Sequence, residues 1–245
     1  MNKFIYENKS FLLQLKRFLN SFFRIEIIKY PTDELSRRIA LLQHHDINVI
    51  IDIGANIGQY GAEMRNLGFN GEIISFEPMK KAFDALKKIS SNDPKWTVFN
   101  YSIGERDGQT SINIAKNSVS SSLLNPLPQL TLSAPAARSI AVEIIGIHKL
   151  DTVFDTLNLK HKNIYMKIDT QGYEEMVLLG AKDSLKHVKG IQIEMAFIPS
   201  YDGAVTFDKM KNKLNVLGYE LLALENGFYD KETGKQLEVD GIFYK

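Results

Sequence analysis

The stretch NVIIDIGANIGQYGAEM, Asn48 to Met64, decides how the rest of the chain is read. It begins as an apolar run suited to a buried strand, passes through a glycine-bearing turn and continues as a helix. That layout brings bare backbone close to a nucleotide-like ligand. A dinucleotide fingerprint would put glycines at the first, third and sixth positions of the turn. Counted from Gly54, the later two positions hold Asn56 and Gln59. The dinucleotide reading fails there, and a related ligand must take its place.

Outward from this turn the pattern alternates. GEIISFEP precedes KKAFDALKKIS, then comes WTVFNYSIG; further on, NIYMKIDT precedes YEEMVLLGAKDSLKHV, and GIQIEMAF follows. Short apolar runs alternating with amphipathic helices predict βαβ units and a mostly parallel sheet. The end of the chain differs. After the helix TFDKMKNKLNVLG, the segments YELLALENGFYD and QLEVDGIFYK read as strands joined by the turn KETGK, an antiparallel pair at the sheet edge. Residues 105–147 break the alternation with two extra strands, DGQTSINIAK and SIAVEIIGIH, flanking a Ser- and Pro-rich loop. Long loops in compact domains often serve as lids, and residues 117–138 are expected to form part of a mobile one over the acceptor site.

The chain divides into a helical extension, residues 1–46, and an α/β domain, residues 47–245. In the extension, Phe11, Leu15, Phe18, Phe22 and Ile25 recur at helical spacing with Lys16, Arg17 and Arg24 between them. A basic amphipathic helix over residues 11–29 could lie on a membrane. Packing on its own domain, or on a second subunit of a homo-oligomer, is the more ordinary use. A second helix, TDELSRRIALLQHH, opens with a cap at Thr32 or Asp33.

Composition narrows the classes. Over 245 residues, 30 Lys and Arg face 29 Asp and Glu, a net charge of +1, so no nucleic-acid face is expected globally. With no cysteine there is neither a disulfide nor a thiolate site. No apolar run is long enough to span a membrane. The start lacks a cleavage site for export, and the expected compartment is the cytoplasm.

Ligands of an open parallel sheet sit at the carboxyl ends of its strands. After the first strand these are Asp52, Gly54, Asn56 and Gly58; after the second, Glu77. An acid at that place can accept hydrogen bonds from both ribose hydroxyls. No Lys or Arg lies in the turn, which disfavours phosphate. A nucleoside carrying a sulfonium and an amino-acid tail, S-adenosylmethionine, suits these acids. Singly, Asp52 and Asn56 could cap the next helix and Glu77 could merely end a strand; the ordered set points to a ligand. Asp169 and Glu194 end two later strands, where a second substrate would meet the cofactor's methyl group. Glu174 and Glu175 fall in a first helical turn, where the helix dipole favours acids. Lys167 shares a face with Asp169 and is expected to pair with it. No histidine falls at such a strand end, leaving a carboxylate or a metal-bound alkoxide as base; no metal ligand is assigned.

The segments IIDIGANIGQYG, IISFEPMKKAFDAL, NYSIGERDG, LDTVFDTLNLKHKNIYMKIDTQGYEEMVLLGA, IQIEM and VDGIFYK resemble, in order, the FkbM family of S-adenosylmethionine-dependent methyltransferases. The resemblance runs from about Asn48 onward. It implies a Rossmann-like class I methyltransferase sheet, seven-stranded and mostly parallel with an antiparallel C-terminal hairpin. It places Asp52, Gly54, Asn56 and Gly58 at the methionine part of the cofactor, Glu77 at the ribose, and Tyr101, Ser102 and Ile103 beside the adenine. Asp169 falls in the family's Lys-Ile-Asp-x-x-Gly-x-Glu element. Many relatives carry Glu where this chain has Gln171, one charge fewer here. The expected reaction is O-methylation of a hydroxyl on a sugar, glycan or sugar-nucleotide, with Asp169, or secondarily Glu194, accepting the proton. The alternatives are a small-molecule O-methyltransferase of secondary metabolism and a non-catalytic nucleoside-binding scaffold of the same fold.

Overall fold

A computed structural model describes residues 2–24 and 28–245, without the side chains of residues 2–10. The chain packs as two compact units divided between Arg38 and Ile39. In the first, α1 spans Asn2–Phe23. Phe18 and Phe22, one turn apart on it, stack with ring centroids at 5.7 Å. Ile25, the last member of the expected stripe, lies outside the described residues. The second helix, α2 (Asp33–His44), straddles the division. Thr32 Oγ1 accepts the Leu35 N–H at 3.2 Å, so Thr32 is its cap. Among the described residues no helix is long and apolar enough to cross a membrane.

The second unit follows the alternation. Strand β1 (Val49–Ile53) leads to α3 (Gln59–Asn66), β2 (Glu72–Phe76) to α4 (Lys80–Ser90), and β3 is Trp96–Phe99. The interruption supplies β4 (Ser102–Ile103), β5 (Gly108–Ala115), α5 (Pro128–Ser133) and β6 (Ser139–His148). Then come α6 (Leu150–Phe154), β7 (Ile164–Ile168), α7 (Glu174–Leu179), β8 (Val188–Ala196), α8 (Phe207–Val216), β9 (Glu220–Asn226) and β10 (Glu238–Tyr244). The main sheet has seven strands in the order β3-β2-β1-β7-β8-β10-β9. The first five are parallel, and β10 runs antiparallel to both of its neighbours. This is the mostly parallel α/β sheet with a reversed C-terminal strand that the sequence predicts. The extra strands form their own sheet, β4-β6-β5.

Central strands β1 and β7 are buried along their whole length, as a parallel sheet covered on both faces requires. One row across the sheet is nonetheless polar. Register pairs Ser75 with Asp52, Asp52 with Lys167, and Lys167 with Gln192. These four are buried, and Trp96 Nε1 donates to Ser75 Oγ at 3.0 Å to extend the row.

One helix is shorter than its sequence suggests. YEEMVLLGAKDSLKHV forms α7 only to Leu179, then a turn and a 3-10 segment, Ser184–His187. Two contacts cut it. A Cβ on Gly180 would lie 1.8 Å from the Gly104 carbonyl oxygen, so backbone packs against backbone there. The Asp151 carboxylate also captures the N–H groups of Asp183 and Ser184, at 3.1 and 2.7 Å, competing with helical hydrogen bonds.

Candidate active site

The turn after β1 is built from residues that tolerate a left-handed backbone. Gly54, Asn56 and Gly58 have φ of 81°, 48° and 90°. At Gly54 the need is absolute, because a Cβ would stand 1.9 Å from the Asp169 carbonyl oxygen. The ends of β1 and β7 are thus pressed together, with Asp169 N–H donating to Ile53 O at 3.1 Å.

Glu77 ties the turn to the end of β2. Its Oε2 accepts the Asn56 N–H and its Oε1 the Met79 N–H, each at 2.8 Å. The carboxylate is buried, and burial pushes its pKa up to about 7 against the pull of those two donors. A solvent-open cleft lies above it. Of the residues expected at the cofactor, Gly54, Asn56, Glu77 and Ser102 line this cleft, together with Ile103 and Asp169.

Asp52, Gly58 and Tyr101 stand outside the lining. Asp52 is wholly buried beneath the turn, 3.5 Å from Lys167 Nζ. Burial raises its pKa, and the Lys167 charge opposes that rise. Gly58 heads α3, where a Cβ would meet Leu86 Cδ1 at 2.8 Å, so it serves packing beneath the turn. Tyr101 turns its ring onto Phe76, Phe99 and His148, with centroids 5.5, 5.5 and 4.6 Å away.

Lys167 Nζ lies 3.2 Å from Asp169 Oδ2 as well, so one buried ammonium serves two acids. Burial alone would lower its pKa; the Asp169 and Asp52 charges raise it instead. Glu174 does not face the cleft. It is buried with its pKa raised by burial to about 7, and it accepts from Thr170 N, Thr170 Oγ1 and Gly172 N at 2.9, 3.1 and 3.1 Å. It clamps the turn that follows β7.

A second cavity adjoins the first. Gln59, Val119, Asp169 and Gln171 line both. Glu194 belongs to the second, with Asn117, Ser120, Leu130, Phe228 and Glu238. Burial, then the neighbouring charges of Asp169, Glu238 and Glu174, push the Glu194 pKa well above the carboxylate range. Sequence reasoning missed Glu238. Its signal was the reversed last strand, whose first residues fall at the carboxyl ends of its parallel neighbours. Phe228 and Tyr201 sit in irregular segments and gave no signal.

The segment 117–138 is structured. Asn113 bridges to Ser122 and Pro126 to Tyr201, and the Ser122 hydroxyl donates to Gln171 O at 2.7 Å. Ser118, Val119, Ser121 and Leu123 line the first cavity, while Asn117, Val119, Ser120 and Leu130 line the second. The segment therefore lines both cavities.

Comparison with known proteins places this geometry. A family model described as the methyltransferase FkbM domain matches residues 52–221. None of the curated proteins matches the chain. Among solved structures, precorrin-6y C5,15-methyltransferase from Geobacter metallireducens is 16% identical, with 90% of this chain and 92% of that one covered and a TM-score of 0.44. The METTL16 MTase domain is 10% identical, with 94% and 77% covered and a TM-score of 0.48. The family match spans most of the chain and contains Gly54, Glu77, Asp169 and Glu194. This chain belongs to the FkbM methyltransferase domain family and is an S-adenosylmethionine-dependent methyltransferase.

Proposed function

We propose that the enzyme methylates a hydroxyl of a sugar or glycan. The carrying observation is the pair of adjoining cavities that meet at Asp169 and Gln171. The first fits S-adenosylmethionine. Each Glu77 oxygen has one lone pair occupied by a backbone N–H, which leaves acceptor capacity for ribose hydroxyls. Gly54 and Asn56 would hold the methionine end, and Ser102 and Ile103 the adenine. Asp52 and Gly58 act from beneath the turn by fixing its shape, and Tyr101 by backing the adenine wall. When bound, the cofactor supplies an electrophilic methyl group.

The second cavity offers carboxylate, amide and hydroxyl groups from Asp169, Glu194, Glu238, Gln171, Asn117 and Ser120 beside the Phe228 ring. Such groups hydrogen-bond hydroxyls, and a ring covers the apolar face of a pyranose. No Lys, Arg or His is among the lining residues, so a diphosphate finds no cation there. A neutral glycan hydroxyl is favoured over a sugar-nucleotide, and over a flat metabolite that would leave these acids unpaired. Asp169 orients the hydroxyl for in-line attack and takes its proton as the new C–O bond forms; positioning supplies much of the acceleration. Glu194 stands behind it as the second carboxylate.

The test is release of S-adenosylhomocysteine over a panel of neutral glycans, sugar-nucleotides and phenolic metabolites. Turnover of neutral glycans, reduced about a hundredfold or more by Asp169→Asn, is expected. Turnover confined to phenols, or cofactor binding with no turnover at all, would overturn the reading.

A further inference from the structure

Gln171 stands where the two cavities, the covering segment and the paired carboxylates meet. Its backbone is left-handed, φ 55°, followed by Gly172 at 95°. Its Nε2 donates to Asp169 Oδ1 at 3.0 Å and to Glu194 Oε2 at 2.9 Å. Its Oε1 accepts from the Tyr201 hydroxyl at 2.9 Å. Chemistry fixes the orientation of the amide: turned over, its oxygen would face two carboxylates. Its own carbonyl accepts from Ser122, and Tyr201 also reaches Ser120 O at 2.9 Å, so the covering segment is pinned at the same point.

The surroundings give this amide a particular importance. The charged and titratable groups around Glu194 are Asp169, Glu174, Glu238 and Asp240, with Tyr201 beside them. Lys167 contacts Asp169 through its other oxygen, Oδ2. Ser200 donates to Glu238 Oε1. Two acids that would repel each other therefore share one neutral nitrogen with two N–H groups. A carboxylate in that place, or an apolar side chain, would not do the same work.

We propose that Gln171 is a positioning residue of the methyl transfer, whose amide bridges Asp169 and Glu194 and sets both where their oxygens stand and how readily Glu194 gives up its proton. The proposal rests on Asp169 being the proton acceptor, but the bridge is open to test without turnover. A donor to a carboxylate favours its charged form, so removing the amide lets Glu194 hold its proton to higher pH.

The experiment is a ¹³C NMR titration of protein saturated with S-adenosylhomocysteine and labelled at the Asp and Glu carboxyl carbons. Asp169→Asn and Glu194→Gln assign the signals. In Gln171→Met the Glu194 midpoint is expected to rise by about one pH unit or more, which is tenfold in proton affinity. In the isosteric Gln171→Glu, with a third acid between the two, it should rise further, and this variant serves if the first does not fold. S-adenosylhomocysteine affinity is measured for each variant and the ligand kept saturating, because Gln171 also lines the first cavity. Folded variants whose carboxyl midpoints match wild type would overturn the proposal and leave the amide a packing group. If the midpoints move as expected while wild type methylates no glycan, the bridge stands and the proposed acceptor falls.

Discussion

The Glu77 carboxylate accepts the Asn56 backbone N–H at 2.8 Å, joining the end of β2 to the turn after β1. The side chain proposed for the ribose is thus also the strut that holds the glycine turn in place. Position and proton affinity are coupled in this one group, since the burial that shapes the cleft raises its pKa to about 7.

Cofactor binding should release a proton near neutral pH. Ribose hydroxyls donate to the charged carboxylate, so affinity for S-adenosylhomocysteine should fall as pH drops below about 7. Calorimetry in buffers of different ionisation enthalpy should give different heats; equal heats would rule this out. Stability follows the opposite sense. Between the usual 4.5 and about 7 the folded protein keeps a proton that the unfolded chain has lost, so this group stabilises the fold below that window and the benefit fades as pH rises through it. Glu77→Gln lacks that loss. Urea midpoints should shift in the variant's favour, relative to wild type, by on the order of 3 kcal/mol from acid to neutral pH.

Gly54 and Gly58 share a left-handed backbone and should respond differently to alanine. At Gly58 the Cβ meets the end of a leucine side chain, which can move; a loss of about 1–2 kcal/mol is expected from backbone strain. At Gly54 it meets the Asp169 carbonyl itself. Gly54→Ala should lower the melting temperature well beyond Gly58→Ala and abolish S-adenosylhomocysteine binding. Equal melting temperatures would show that the turn can relax.

Lys167→Met should be among the most damaging single changes in the sheet. It leaves Asp52, wholly buried, and Asp169 without their shared cation. Removing one member of a buried ion pair costs about 3–5 kcal/mol. Denaturant melts would show it, and adding Asp52→Asn should recover part of the loss. If the double variant is no better than the single one, the two charges are not coupled.

Phe228→Ala and a Gly-Ser replacement of residues 117–138 should separate the two cavities. Phe228 lines only the second of them, so its truncation should raise the acceptor KM several-fold and leave S-adenosylhomocysteine affinity unchanged. The segment covers both cavities, so replacing it should weaken cofactor and acceptor together. Unchanged cofactor affinity after replacement would contradict the contribution of Ser118, Val119, Ser121 and Leu123.

The strands announced themselves because burial on both faces demands nearly continuous apolar runs, as in Val49–Ile53 and Ile164–Ile168, each broken by a single charged residue. Gly54, Glu77, Asp169 and Glu194 were legible because parallel topology carries strand ends to one rim. Asp52 lies beneath the turn and not in the cleft lining, and alternation could not show this. Alternation says which face a residue takes, and a polar row shared with Lys167 and Gln192 reads the same as a ligand contact. The early end of α7 depends on Asp151, distant in sequence, reaching its backbone. Phe228 of the second cavity and Tyr201, bonded to Gln171, come from loops, whose paths carry no periodicity.

The sheet order also bears on how the chain is made. β9 leaves the ribosome before β10, yet β10 lies between it and β8. The five parallel strands can assemble as they emerge, but the outer edge of β8 and the whole of β9 must wait for Glu238–Tyr244. During translation both present unpaired backbone and apolar side chains, templates on which neighbouring nascent chains can pair. Synthesis of β10, rather than of the glycine turn, is the step that closes the sheet.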